Sequence, residues 1–138
     1  MSDTELAILV DRFMRQIHMS LQAKAAGFDT ENVGPGGGMV LLTLADMGPS
    51  EMHELTRRVA RDKSQMTRLM KSLETKGLLE RTTSKADARV SIVSLTPFGN
   101  EVVDTLRRAV AEAIGQVLSP ITEQEKEQLK HLMRKALG

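Results

Sequence analysis

The sequence of 138 residues contains no cysteine, tryptophan or tyrosine, and it has only three phenylalanines. Without cysteine the protein cannot form disulfides, thiolate metal sites or thiol-based redox sensors, and this composition suits a reducing cytoplasm. Charged residues interrupt every long apolar segment at helical spacing, so the sequence predicts neither a membrane span nor a secretory signal. We therefore expect a cytoplasmic protein that does not associate with membranes.

The sequence also gives little sign of catalytic or metal chemistry. His18, His53 and His131 lie in three different predicted helices, without the spacing of metal ligands or of a nucleophile and its base. We therefore predict no enzyme, no cofactor and no metal site. A metal-responsive regulator, with histidines and carboxylates brought together by the fold, is the alternative.

Helical periodicity dominates both ends of the chain. A capping-box pattern of Ser2 with Glu5 opens a long amphipathic helix that runs to Gly27. Thr96-Pro97 supplies the N-cap and first-turn proline of a second long helix, and a further capping box starts a terminal helix at Thr122. No repeat or long linker divides the chain, so we interpret residues 1–138 as a single domain.

The middle of the chain begins with a glycine-rich segment. The run Gly34-Pro35-Gly36-Gly37-Gly38 predicts a break, which is followed by a short apolar helix over residues 39–47. Ser50 is expected to cap a helix that reaches about Val59. A tight turn should then lead into the next helix.

The next segment resembles a helix followed by a β-hairpin. Asp62 with Gln65 forms a capping box for a helix over residues 63–76, which Gly77 closes. Alternating apolar residues then predict two strands, residues 78–81 and 90–95, with a charged tip between them. The sequence therefore predicts a mainly α fold with a small β-hairpin wing (α+β), in which residues 33–96 form a winged helix-turn-helix.

The helix over residues 63–76 has an apolar face that belongs to the core and an opposite face that carries no carboxylate. Hydroxyls, an amide and cations of this kind can contact base edges and phosphates in a major groove. The alternative for this helix alone is an ordinary solvated surface. The candidate DNA-binding residues are Lys63, Ser64, Gln65, Thr67, Arg68, Lys71 and Ser72, of which Ser64, Gln65, Thr67 and Arg68 are expected near bases and Lys71 near phosphate.

The predicted hairpin adds positive charge to the same segment. Residues 50–96 contain ten Lys and Arg against six Asp and Glu, an excess that indicates a polyanion-binding face or arises by chance. Lys85 and Arg89 at the tip could follow a phosphate strand or enter a narrow minor groove. We expect Asp87 to hold Arg89 or the wing backbone through a charge-assisted hydrogen bond, unless it is a plain turn residue.

These residues resemble the MarR family of bacterial winged-helix regulators. The segment SQMTRLMKSLETKGLLER, from Ser64 to Arg81, is similar to the family's recognition helix and its Leu-Glu-x-x-Gly-Leu-Leu-x-Arg close. The family's wing signature, Asp-x-Arg followed by five residues and Leu-Thr, corresponds to Asp87-Ala88-Arg89 through Leu95-Thr96. The resemblance covers residues 33–99, and the terminal helices agree with the family only in order and length. It implies that the wing residues Arg81, Lys85, Asp87 and Arg89 belong to a DNA interface.

The resemblance also implies a homodimer in which the first and the last two helices intertwine. Residues 1–27 and 97–138 would then form the dimerisation region, and each winged segment would face half of a palindromic operator. Apolar stripes at both chain ends offer more surface than a small winged domain can cover, and paired winged segments about 34 Å apart fit successive major grooves. The alternative is that one subunit uses both stripes internally.

Many MarR relatives respond to small phenolic or other aromatic ligands in a cleft between the dimer region and the winged domain. Because this chain has no tyrosine or tryptophan, a similar cleft would be lined by aliphatic and methionine side chains. The candidate lining residues are Met14, His18, Met39 and Thr43, for which core packing is the alternative role. The chain further departs from the family at Gly34, where a Thr or Ser usually opens the second helix.

The sequence thus predicts a transcriptional regulator that binds double-stranded DNA as a homodimer on a palindromic operator, and is associated with the nucleoid when bound. We expect a repressor that a small apolar or aromatic effector releases. The alternative is a winged helix that binds a protein partner without contacting bases. The two differ in their response to salt, because phosphate binding releases counterions.

Overall fold

The computed structural model describes residues 2–138 and confirms a mainly helical fold with a small antiparallel sheet. In chain order the elements are α1 (Thr4–Phe28), α2 (Gly34–Met47), β1 (Ser50–Glu51), α3 (Met52–Val59), α4 (Lys63–Thr75), β2 (Leu79–Thr83), β3 (Ser91–Leu95), α5 (Pro97–Val117) and α6 (Glu123–Leu137). None of the helices within residues 2–138 combines the length and the apolar character needed to cross a membrane.

The elements form two compact units. The winged unit is Ala26–Arg108, and the helical unit combines the residues up to Ala25 with Ala109–Gly138. The winged unit contains nearly all of the buried side chains, whereas Ile17 and Ala113 are the buried residues of the helical unit within the described part of the chain. The two units therefore differ sharply in how much apolar surface they bury by themselves.

The core of the winged unit collects apolar side chains from every helix that it contains. Its buried members are Val33, Val40, Leu41, Leu44, Leu55, Val59, Met66, Met70, Leu73, Leu78, Leu79, Val93, Val103 and Leu106. The predicted apolar face of α4 is buried, although Leu69 at its margin is only partly so. Val103 and Leu106 lie on α5, so the first half of this helix packs in the winged unit, whereas the sequence pattern assigns the whole of it to the dimerisation region.

Helix α2 begins at Gly34, five residues before the predicted start at Met39, so the predicted break over residues 34–38 is wrong. The carboxylate of Asp29 accepts hydrogen bonds from the backbone N–H groups of Val33 and Gly34, each at 2.9 Å. These bonds satisfy donors that a helix start leaves unpaired, so the capping group comes from outside the local pattern.

The glycines of α2 are explained by close packing. A Cβ at Gly36 would lie 3.3 Å from the Leu69 side chain, and one at Gly37 would lie 3.1 Å from the Val33 Cβ. Both distances are tighter than ordinary van der Waals contact, so a larger residue at position 36 would crowd α4, and one at position 37 would crowd the start of α2 itself. Glycine therefore lowers the helix propensity here but lets α2 and α4 approach.

Ser50 does not cap α3, which is a second correction to the sequence-based prediction. Ser50 and Glu51 form β1, which pairs with Val93 and Ile92 of β3 in a sheet of order β1-β3-β2. The Ser50 hydroxyl donates instead to the Gly48 carbonyl at 2.7 Å, and α3 starts after Glu51 without a side-chain cap. The sheet supplies the backbone partners here, so the serine is free to close the preceding turn.

The base of the wing is fixed by a junction of four residues: Gly77, Leu78, Thr96 and Gly99. Gly77 has a φ of 75°, and the bonds Gly77 N–H to Glu74 O (3.0 Å) and Leu78 N–H to Leu73 O (3.0 Å) form a Schellman ending for α4. The Thr96 hydroxyl donates to Gly77 O at 2.6 Å and accepts from Gly99 N–H at 2.9 Å. One threonine thus ties the end of α4 to the start of α5.

We predict that Gly99→Ala destabilises the protein by about 1–3 kcal/mol, the usual range for forced overpacking. A Cβ at this position would overlap the carbonyl oxygen of Leu78, which also accepts the Thr96 N–H. Urea denaturation should show the loss as a lower midpoint with an unchanged slope. Gly27→Ala is the control, since no atom lies within 4 Å of a Cβ there. Equal stability of the two variants would contradict the assigned role of this junction.

Candidate nucleic-acid interface

The outer face of α4 is exposed and carries no negative charge before Glu74. Asp62 is the N-cap of this helix, and its carboxylate accepts a hydrogen bond from Gln65 N–H at 2.9 Å. Within residues 2–138, neither Arg68 nor Lys71 forms an ion pair with a carboxylate. Each of the seven candidate residues of this helix is exposed, namely Lys63, Ser64, Gln65, Thr67, Arg68, Lys71 and Ser72. The face is therefore open to a large ligand, and the charges of Arg68 and Lys71 are available to it.

The hydroxyls on this face differ in what they can offer. Thr67 Oγ1 donates to the Lys63 carbonyl at 2.9 Å, and Thr75 Oγ1 donates to the Lys71 carbonyl at 2.8 Å. A hydroxyl has one proton, so these two threonines can accept hydrogen bonds and present methyl groups but cannot donate while these bonds persist. Donation to base acceptors must then come from Ser64, Gln65 and Arg68.

The wing tip is a short loop held by its own hydrogen bonds. Ser84 N–H donates to Val90 O at 2.9 Å, and Val90 N–H donates to Asp87 O at 3.0 Å. The Ser84 hydroxyl oxygen accepts from Ala86 N–H at 3.2 Å. These bonds give the tip between β2 and β3 a defined shape in which both Lys85 and Arg89 are exposed.

Arg89 is held in place by Asp87. The Asp87 carboxylate accepts from Arg89 N–H at 3.0 Å, and from the guanidinium at 3.2 Å (Nε to Oδ1) and 3.4 Å (Nη2 to Oδ2). The Arg89 side chain is nevertheless 90% exposed. The arginine is thus oriented by one edge of its guanidinium while its remaining N–H groups face outward.

The charges on α3 are largely neutralised. Arg57 pairs with Glu54 at 2.8 Å, and Arg58 pairs with Asp46 at 3.5 Å. His53 Nε2 lies 3.3 Å from Glu51 and 3.2 Å from Glu54. The positive charges of the middle segment are therefore not spread evenly. Those that remain accessible to a ligand lie on α4 and at the wing tip.

Comparison with known proteins connects this arrangement to a family. The family model described as MarR family matches residues 37–91, from the first turn of α2 to the first residue of β3. Over these residues the chain is similar to the MarR family. The curated proteins that it resembles are named as HTH-type transcriptional regulators, a class of DNA-binding proteins rather than of enzymes.

Two curated relatives come from Bacillus subtilis (strain 168). The uncharacterized HTH-type transcriptional regulator YxaD is 26% identical over 88% of this chain and 82% of its own length. The HTH-type transcriptional repressor MdtR is 29% identical over 91% of this chain and 86% of its own length. The chain thus matches these regulators over most of their length.

Solved structures of MarR-type regulators share the fold of this chain. Wild-type MarR from E. coli in its apo form has a TM-score of 0.76 at 21% identity, covering 100% of this chain and 98% of that one. A structure of BpsR from Bordetella bronchiseptica has a TM-score of 0.73 at 20% identity, covering 97% of this chain and 99% of that one. At these identities the likeness supports the fold alone.

The predicted DNA-binding residues lie in one unit, but the side chain of Arg81 differs from the others in its contacts. The residues of α4 and the wing all lie within Ala26–Arg108. Arg81, however, donates through Nε to Glu74 Oε1 and forms an ion pair with it. Its charge is therefore paired with a different element of the winged unit, whereas Arg89 pairs with Asp87 of its own loop.

The predicted effector residues fall in different units. Met14 and His18 lie on α1 in the helical unit and are exposed. Met39 and Thr43 lie one turn apart on α2 in the winged unit, where Thr43 Oγ1 donates to Met39 O at 2.7 Å. Met39 is 44% exposed, so it does not belong to the core of its unit. The effector cleft stays a prediction.

Two residues that matter to this surface escaped the sequence analysis. Arg61, in the turn before α4, lies beside Gly36, and its Nε is buried without a hydrogen-bond partner among residues 2–138. Glu74 was seen only as part of the family motif, yet it pairs with Arg81. A signal existed for Glu74, because a carboxylate in the last turn of a helix is unfavourable unless a cation lies nearby.

The pKa of Asp87 lies below that of an ordinary aspartate, first because Arg89 N–H donates to its carboxylate and second because the Arg89 side chain does. Since the pKa is lowered, the contribution of these bonds to wing order is present above the ordinary aspartate range and disappears as the pH falls through the lowered pKa. At neutral pH the wing contacts are therefore fully formed.

We predict that Arg89→Gln raises the pKa of Asp87 only in part, because the backbone N–H of residue 89 still donates to the carboxylate. Carboxyl chemical shifts followed by NMR against pH would measure the change. A return of Asp87 to the pKa of an ordinary aspartate would show that the side chain of Arg89, and not its backbone, dominates.

Proposed function

We propose that this regulator binds a palindromic operator in double-stranded DNA as a homodimer. In each subunit α4 enters the major groove, and the wing tip contacts the adjacent backbone or minor groove. The observation that carries this proposal is the exposed, carboxylate-free face of α4, whose cations are unpaired within residues 2–138, next to a hairpin that presents an oriented arginine.

Within α4 the residues divide by chemistry. Arg68 has paired donors that can recognise a guanine edge, and Gln65 has a donor and an acceptor that can recognise an adenine edge. Lys71 supplies positive charge toward phosphate. Lys63 and Ser64, in the first turn of the helix, lie where backbone and base contacts of a recognition helix concentrate. Arg89, with its outward N–H groups, suits a narrow minor groove of enhanced negative potential.

The helical unit supports the proposal of a homodimer. α6 contains no buried residue, and large apolar side chains of α1 and α6 are exposed, among them Met19 at 68% and Leu137 at 82%. An exposed apolar surface of this kind marks an interface with another protein. The residues concerned are Leu6, Ile8, Leu9, Val10, Met14 and Met19 on α1, and Leu132, Met133 and Leu137 on α6.

We further propose that the regulator is a repressor released by a small apolar or aromatic effector. MdtR, the relative at 29% identity, is named a transcriptional repressor. BpsR, which shares the fold, is a protein whose DNA binding is regulated by 6-hydroxynicotinic acid. Met14, His18, Met39 and Thr43 remain the candidate effector residues of this chain.

The DNA-binding proposal predicts separable effects of two arginines. Arg68→Ala should cost about 1–3 kcal/mol at one base position and relax specificity there, because a bidentate base contact is lost. Arg89→Ala should reduce the slope of log affinity against log salt by about one per subunit, because one positive charge that displaces a counterion from the DNA is lost. Duplexes selected from random DNA, then measured by fluorescence anisotropy at several salt concentrations, provide both quantities.

Arg57→Ala is the matched control, since this arginine is exposed in the same unit but already paired with Glu54. It should bind the selected duplex almost as well as the wild type. If Arg68→Ala and Arg89→Ala also leave affinity and salt slope unchanged, the DNA-binding role is wrong. A winged helix that binds a protein partner would then become the better hypothesis.

The dimer proposal predicts that Leu9→Glu and Leu132→Glu each raise the dimer dissociation constant by about a hundredfold or more, because burying an unpaired carboxylate costs several kcal/mol. Both side chains are exposed, Leu9 on α1 at 49% and Leu132 on α6 at 60%. Sedimentation equilibrium measures the change. Met39→Glu, at an exposed apolar position of the winged unit outside the expected dimerisation region, should leave the dimer intact. A wild-type protein that sediments as a monomer at micromolar concentration would contradict the proposal.

A further inference from the structure

Glu74 carries a negative charge at the end of a helix where such a charge is unfavourable. It lies in the last turn of α4, close to the partial negative charge of the helix dipole. That turn contains no basic residue, and the C-cap residue Lys76 donates its ammonium to the Asn32 carbonyl at 2.7 Å. The compensating charge for Glu74 must therefore come from another element.

Arg81 supplies this charge from the wing. Its Nε donates to Glu74 Oε1, and the two side chains are 38% and 33% exposed. Arg81 lies in the middle of β2, opposite Val93 of β3. The ion pair therefore crosses from the proposed recognition helix to the strand that leads to the wing tip.

Arg81 differs in this respect from the other arginine of the wing. Arg89 pairs with Asp87, two residues away in the same loop, and its side chain is 90% exposed. Arg81 is bonded to a residue seven positions earlier in the chain, on another element, and is far less exposed. A bond within the loop orients a side chain, whereas a bond between elements fixes the elements relative to each other.

We infer that Glu74 and Arg81 are positioning residues, whose ion pair holds the wing in register with α4, and that Arg81 does not itself bind phosphate. This inference rests on the proposed DNA-binding function. A helix and a wing that contact DNA at the same time bind best when their spacing is set beforehand, because ordering a loose wing on binding costs free energy. The pair sets that spacing by linking the last turn of α4 to β2.

The sign of the effect of Glu74→Gln tests the inference. Removing a carboxylate beside DNA would by its charge alone strengthen binding. If the pair positions the wing, Glu74→Gln should instead weaken operator binding by about threefold per subunit, the scale of an exposed ion pair. Arg81→Gln should weaken it similarly, and the charge swap Glu74→Arg with Arg81→Glu should restore most of the affinity.

Glu80→Gln is the matched control. Glu80 lies on the same strand as Arg81, its carboxylate is exposed, and it forms no ion pair within residues 2–138. The variant should bind as tightly as the wild type or more tightly. Amide hydrogen exchange without DNA provides an independent measurement: Ser84 and Val90 should exchange faster in Glu74→Gln and Arg81→Gln than in the wild type or Glu80→Gln. Far-UV circular dichroism shows that the variants are folded.

Two outcomes would overturn the inference. In the first, Glu74→Gln binds the operator as well as the wild type or better, while Arg81→Gln loses affinity and about one unit of salt slope, which would make Arg81 a phosphate ligand. In the second, wing exchange is unchanged in every variant. If the wild type binds no duplex at all, the proposed function fails instead, and the exchange data still decide whether the pair orders the wing.

Discussion

The burial of one face of α4 is the constraint on which the rest of the winged unit depends. Met66, Met70 and Leu73 are almost fully buried, so the helix cannot rotate about its axis without exposing them. The opposite face, with Arg68 and Lys71, is consequently directed outward. The apolar spacing of α4 thus determines which side chains are presented to a ligand, although none of the apolar residues would contact it.

The glycines on either side of α4 serve this same packing. Gly36 lets α2 approach Leu69 of α4, at the expense of helix propensity. Gly77 ends α4 in a left-handed conformation, and Gly99 allows α5 to start against the Leu78 carbonyl. Close packing, against a side chain at Gly36 and against the backbone at Gly99, explains why glycine occupies these positions.

The arginines and lysines of the winged unit fall into two groups, those paired with a carboxylate of another residue and those exposed to a ligand. The arginines of α3 are matched by nearby carboxylates, and Arg81 is matched by Glu74 across two elements. Arg68 and Lys71 are unpaired within residues 2–138, and Arg89 is paired in a way that leaves its side chain exposed. A chain with a net charge of only +1 can therefore still present a concentrated positive surface.

The sequence predicted the elements whose signals are local. The capping box of Thr122 with Glu125 is present as predicted, and Asp62 accepts from Gln65 N–H, because a cap depends on residues three positions apart. Periodicity likewise identified α1, α4 and α5, and the hairpin followed from alternating apolar residues. The comparisons with known proteins confirmed the family that the recognition-helix and wing motifs indicated.

Predictions failed where a partner distant in the chain decides the conformation. Ser50 forms a strand rather than a cap because β3, about forty residues later, offers hydrogen bonds to its backbone. The glycine run is helical because Gly36 packs closely against Leu69, more than thirty residues later, and a nearer residue, Asp29, caps the helix start. The ion pair of Arg81 with Glu74 likewise could not be read from the sequence, and the DNA-binding role of Arg81 stays a prediction.

The sequence by itself therefore determined the order of helices and hairpin, the polar face of α4 and the family, because all of these follow from short-range spacing and motifs. Only the tertiary structure decided where α2 begins, that β1 exists, and which cations are already neutralised. These features depend on pairs such as Glu74 with Arg81 or Ser50 with Val93, whose partners are brought together only by folding.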